Sequence, residues 1–264
     1  MTRTLALLAL GTLPWHQPTV SWLQPDKFLY HWGETTTIRI VQGISGDTRN
    51  WLGSKPDLQR IDLYFGDTHD DLGDALGNEP GDSIEVMVLD EGTAMVTLMT
   101  RETRLPDSLG TGPDQSDSAS LSDSSTAMPV AHPGSLSHQA LWQYCLKTLF
   151  QVGQPTDKAC LQQTSLALDI VPDRNPYSIQ DGQEIPFTVW FMGHPLANAE
   201  VTVWNQQEEG WDRADIQSDR EGRFRVAVRR AGTWMVSCSR IVQPAKGPDT
   251  LPHGYQGTCT WGYH

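Results

Sequence analysis

Between Leu166 and Tyr263 apolar residues occupy every second position through six short runs, and Gly, Pro or Asp separates each run from the next. A period of two is that of a strand with one buried face, whereas a surface helix repeats every 3.6 residues. The inward sets read Leu166, Leu168 and Ile170; Ile185, Phe187, Val189 and Phe191; Ala199, Val201 and Val203; Phe224, Val226 and Val228; Trp234, Val236 and Cys238; then Cys259, Trp261 and Tyr263. Six short strands at this spacing predict an antiparallel sandwich of the immunoglobulin-like kind.

Upstream the same period recurs in weaker form over Thr35 to Val41, Ile61 to Phe65 and Ile84 to Val88, and Val20 to Leu23, Lys27 to Tyr30 and Ala94 to Met99 supply further runs. With 264 residues the chain is long enough for two cores. The expected fold class is therefore all-β, with two Ig-like antiparallel β-sandwich domains and one linking helix. The expected organisation is a signal-like leader over 1–16, an N-terminal sandwich over 17–104, a flexible Ser/Asp-rich insertion over 105–136, the helix over 137–153 and a C-terminal sandwich over 154–264. Asp114 to Ser125 has almost no apolar content and cannot offset the entropy of its own ordering. The helix rests on Ser137 as cap, on the stripes Leu141, Cys145, Leu149 and Trp142, Leu146, Phe150, and on Gly153 followed by Pro155 as a stop.

Compartment is read from both ends of the chain. Arg3 followed by the apolar run Leu5 to Leu10 resembles a secretory signal and is far shorter than the roughly 20 residues of a membrane span. A buried first strand is the competing reading. Cys145, Cys160, Cys238 and Cys259 lack the Cys-x-x-Cys spacing of zinc ribbons and thioredoxins. Their positions suggest the disulfides Cys145 to Cys160 and Cys238 to Cys259, bonds that persist in oxidising compartments. A periplasmic or extracellular location follows, with no membrane span in the mature chain. The formal charge of -13 opposes docking on nucleic acid, whose phosphates recruit Lys and Arg.

Candidate chemistry is sparse. No Gly-x-Ser-x-Gly, His-Glu-x-x-His or glycine-rich phosphate loop occurs, so the expected protein is not an enzyme. None of the eight histidines has the paired spacing that preorganises a metal site. His16 is the one candidate ligand: at a processed N-terminus its amine and imidazole would chelate nickel, cobalt or copper together. Asp67 to Asp74 carries four carboxylates and His69 but lacks the order of a calcium loop, and reads as a solvated acidic loop. Asp219 to Gly222 reads as a turn between strands with Gly222 at positive φ. Ten tryptophans are more suggestive. Strand alternation turns Trp190 and Trp204 outward, with Trp211 near the following hairpin. Either the rest of the chain covers these rings, or they form an interface for a partner protein or a platform for sugar rings.

Three segments carry a family resemblance. Gly193 to Val201, Ser218 to Phe224 and Ala231 to Trp234 resemble a strand-turn-strand series in a bacterial family of unknown function, often described as periplasmic components of cobalt or nickel uptake systems. Tyr144 to Gly153 is similar to the helix before that domain, and Ser21 to Pro25 resembles the family's opening Trp-Leu-x-Pro element. The resemblance implies an exported protein of two β domains acting as an accessory or binding component of an envelope or membrane-associated complex, linked to transition-metal uptake. At the family's two histidine positions this chain has Thr19 and Arg240, and a guanidinium cannot coordinate a metal. The alternatives are a structural subunit docking through an aromatic β face, and a carbohydrate-binding module.

Overall fold

The computed structural model describes residues 19–44, 47–104, 140–154, 158–207, 210–244 and 251–264. The leader with His16, the insertion over 105–136 and the capping residue Ser137 lie outside the described residues. In chain order the strands of the first half are β1 (Val20–Pro25), β2 (Leu29–Tyr30), β3 (Thr35–Ile44), β4 (Asp47–Asn50), β5 (Leu58–Phe65), β6 (Thr68–Asp71), β7 (Ile84–Met87), β8 (Gly92–Thr100) and β9 (Thr103–Arg104). Those of the second half are β10 (Leu141–Val152), β11 (Leu168–Pro172), β12 (Glu184–Phe191), β13 (His194–Pro195), β14 (Glu200–Gln207), β15 (Gly210–Gln217), β16 (Arg223–Ala227), β17 (Thr233–Val242) and β18 (His253–Gly262).

Among the described residues three sheets form. The largest has ten strands in the order β15-β14-β17-β18-β10-β8-β5-β6, with β2 and β9 also pairing on β10. One small sheet joins β1, β3, β4 and β7, and the other joins β11, β12, β13 and β16. Pairing is antiparallel except where β10 runs parallel to β18 and to β2. The all-β sandwich expected from the alternation is thus present, but its two halves share one continuous sheet.

The linking helix expected over 137–153 is not formed by the described residues of that span. Leu141–Val152 is the central strand β10, and its two stripes belong to opposite faces of the large sheet. Trp142, Tyr144, Leu146, Phe150 and Val152 enter a core with β1, β3 and β7, while Cys145 and Leu149 enter a second core with β11, β12 and β16. β8 divides in the same way, Ala94, Val96 and Leu98 against Met95 and Met99. Each small sheet therefore covers a different face of the large one. A strand buried on both faces loses its alternation, and spacings of four fit a strand as well as a helix.

The second core collects the predicted inward sets. Leu168, Ile170, Ile185, Phe187, Val189, Val201, Val203, Phe224, Val226, Val236 and Trp261 form one buried cluster. In the turn that carries the chain from β15 in the large sheet to β16 in the small one, Gly222 has φ of 76°, and Asp219 Oδ1 accepts from the backbone N–H groups of Glu221 and Arg223 at 2.9 and 2.8 Å. A Cβ at Gly222 would lie 2.8 Å from the Val189 carbonyl oxygen, so both its φ and its surroundings require glycine.

Candidate functional site

The expected disulfides are not present. Cys145, Cys160, Cys238 and Cys259 are buried without a sulfur–sulfur bond. Strand register explains the second pair: Cys238 lies opposite Gly257, and Cys259 lies opposite Val236. The two cysteines are thus diagonal neighbours, about 7–8 Å apart, beyond the reach of a disulfide. Cys145 projects from β10 toward the backbone of Ala167 and Leu168, a direction set by the strand that replaced the helix. Burial pushes the thiols of Cys145, Cys238 and Cys259 up to about 12, so they remain protonated and unreactive at neutral pH.

The predicted interface tryptophans separate into two places. Trp204 on β14 is buried, and its Nε1 donates to Ser237 Oγ at 3.1 Å. Trp211 on the neighbouring edge strand β15 is half-buried and meets the Trp204 ring edge-on, with centroids 6.4 Å apart. Trp22 of β1 closes the group at 6.0 Å from Trp211, and Val20 and Met235 fill the space beneath. The outward face of β14 is therefore covered by the first sheet, because β1 crosses the large sheet there. Side chains of β18 tie down that crossing: Gln256 Oε1 accepts from Ser21 N–H at 2.8 Å, and the Thr258 and Thr260 hydroxyls donate to the carbonyls of Ser21 and Leu23 at 3.1 and 2.8 Å. Trp204 is not an exposed platform. Trp190 lies apart on β12, half-buried, in register with Asp169 and Pro195.

An open apolar surface occurs elsewhere, at one end of the first small sheet. Trp32, Met87 and Leu89 are 65%, 60% and 57% exposed, large values for three bulky apolar side chains in one region. Trp32 Nε1 donates to the Leu89 carbonyl at 2.5 Å, and Met87 pairs with Thr35 three residues beyond Trp32. The backbone holds the patch: Gly33 N–H donates to Val88 O at 2.8 Å and Val88 N–H donates to Glu34 O at 3.0 Å. Met87 and Leu89 are the outward partners of the inward set Ile84, Val86 and Val88. That alternation was the available signal, and attention to inward residues alone passes over it.

A polar cluster marks the far edge of the large sheet. Asp62 on β5 is 2% exposed and accepts from Arg60 Nε and from His69 Nε2, at 2.7 and 2.9 Å. The His69 ring stacks on Tyr64 at 4.4 Å. The bond to Asp62 raises the Arg60 pKa, and burial raises that of Tyr64. Thr68–Asp71 is thus strand β6 pinned through His69, and the neighbouring Asp70 and Asp71 are exposed as a solvated acidic segment would be. Among the described residues no three His, Cys, Asp or Glu side chains converge as metal ligands would. Thr19 lends its carbonyl to Gln256 Nε2 at 3.1 Å, and Arg240 stands exposed on β17.

Fold and surface together define an all-β protein of sandwiched sheets with an apolar patch at one end. The chain belongs to a family described as Domain of unknown function (DUF4198), which it matches over residues 20–241. No curated protein matches it. Among the described residues no helix is long and apolar enough to cross a membrane.

Proposed function

We propose that this protein is an exported, non-catalytic accessory or binding component of an envelope-associated assembly, and that it meets its protein partner through Trp32, Met87 and Leu89. The observation that carries this reading is the exposure of three large apolar side chains held by backbone and indole hydrogen bonds on a rigid sheet end. Large aromatic and apolar groups left wet on one surface mark interaction sites, and a rigid anchor loses little entropy when it docks. The resemblance to periplasmic components of cobalt or nickel uptake makes transition-metal transport the process in which the assembly would act.

The competing structural-subunit reading keeps the docking and drops the metal. The carbohydrate reading would rest on the half-buried Trp190 and Trp211, since Trp204 is covered. Co-purification from native membranes tests the docking. Trp32→Ala and Leu89→Ser should release the partner while leaving the melting transition in place, and undiminished retention in both variants would refute the assignment. Calorimetric titration of the full chain with nickel, cobalt or copper separates the remaining readings. Binding heat assigns the metal to this chain, and retained partner without heat makes it a metal-free subunit.

A further inference from the structure

A charged pair lies in the apolar layer between the ten-stranded sheet and the sheet of β11, β12, β13 and β16. Lys147 on β10 and Asp169 on β11 are both completely buried, and Lys147 Nζ touches Asp169 Oδ1. The contact lacks the geometry of a hydrogen bond, so Oδ1 is without a hydrogen-bond donor among the described residues. Nζ instead donates to the Ile170 carbonyl at 3.3 Å. The other oxygen, Oδ2, accepts two hydrogen bonds, from the Thr164 backbone N–H at 2.7 Å and from its hydroxyl at 2.9 Å. The amine is therefore held against the carboxyl group, while two donors hold the oxygen that does not face it.

Two chemical consequences follow. For the amine to attack it must give up a proton, and with both groups shut away from solvent the carboxyl group it touches is within reach to take it. A neutral amine is a nucleophile, and one fixed in contact with an acid has the entropic advantage of an intramolecular reaction. The two Thr164 donors on Oδ2 are placed where negative charge develops when the carboxyl carbon is attacked. We propose that Lys147 and Asp169 react to form an intramolecular amide crosslink between the two layers. The Nζ lone pair forms a bond to Cγ, the Cγ–Oδ1 bond breaks, and Oδ1 leaves as water with two protons that began on the lysine nitrogen. The step consumes no oxidant and no cofactor. Its product straps the strand shared by both cores to the first strand of the facing sheet, the role that a disulfide between layers would otherwise fill.

Peptide mass spectrometry of the purified full chain tests this, since the link survives unfolding and reduction. Trypsin should not cut after Lys147, and the peptide ending at Lys158 should be joined to Ala159–Arg174 with a mass one water below their sum. Lys147→Arg and Asp169→Ala should each abolish the joined species, and Thr164→Val should lower its yield several-fold. Recovery of Ala159–Arg174 from the wild-type digest only as a free peptide would overturn the proposal, whatever the variants do. A joined species that persists in Asp169→Ala would overturn the choice of partner.

Discussion

Truncating Trp204 is the perturbation that most sharply divides a covered indole from a recognition surface. The side chain is 6% exposed, packs against Trp22, Trp211 and Met235, and donates to Ser237. Removing a buried Trp side chain costs about 3–5 kcal/mol, combining lost transfer energy with the cavity left behind. The Ser237 hydroxyl retains the Thr202 carbonyl as a neighbour at 3.5 Å, so the broken bond adds little beyond that range. With a urea dependence of about 3 kcal/mol/M for a chain of this size, Trp204→Ala should lower the unfolding midpoint by roughly 1–1.7 M. Urea titration followed by circular dichroism, with partner retention measured on the same preparations, is the assay. A loss below about 1 kcal/mol, in the range of an ordinary surface substitution, would refute the covered position assigned to this ring.

The remaining predictions concern other elements. Gly257→Ala places a Cβ 2.9 Å from both Leu168 Cγ and its carbonyl oxygen, so a destabilisation of about 1–3 kcal/mol from overpacking should appear in the same urea assay. Removing Asp114 to Ser125 should leave the melting temperature nearly unchanged. The strand residues on either side, Arg104 and Leu141, are already paired in register, and loop length enters stability only logarithmically. Alkaline pH should destabilise the protein through its thiols. Their pKa values rise from an ordinary 9.0 to about 12 on folding, so between those values the unfolded chain releases protons that the folded chain keeps, and stability falls as pH increases. Urea midpoints at pH 8 and pH 10.5 measure this, and a thiol reagent at pH 8 should label these cysteines only after unfolding.

Period-two patterning is readable in a sequence wherever one face of a strand is wet or one core receives the whole inward set. That condition holds for β12, β14 and β16, whose predicted inward residues meet in a single core. It fails for β10 and β8, which are buried on both faces; their runs carry no polar alternation, and β10 reads as a helix. The same failure hides the architecture, since a sheet common to both halves is visible only once its central strand is recognised. Register was equally out of reach, and with it the two-residue offset that separates Cys238 from Cys259. Trp204 was correctly placed on the outward face of its strand, but the crossing of β1 over that face depends on pairings between residues more than 200 positions apart, such as Ser21 with Gln256. Lys147 and Asp169 gave no signal at all, because a lysine in an apolar run is ordinarily a surface residue.

Hydrogen exchange of the amides in Leu141–Val152 tests the shared sheet most directly. If this segment is the strand from which both cores are built, its amides should exchange only through global unfolding, with the urea dependence and free energy of the whole chain. Exchange through a smaller opening, while the amides of β12 and β14 remain protected, would contradict the shared-sheet architecture.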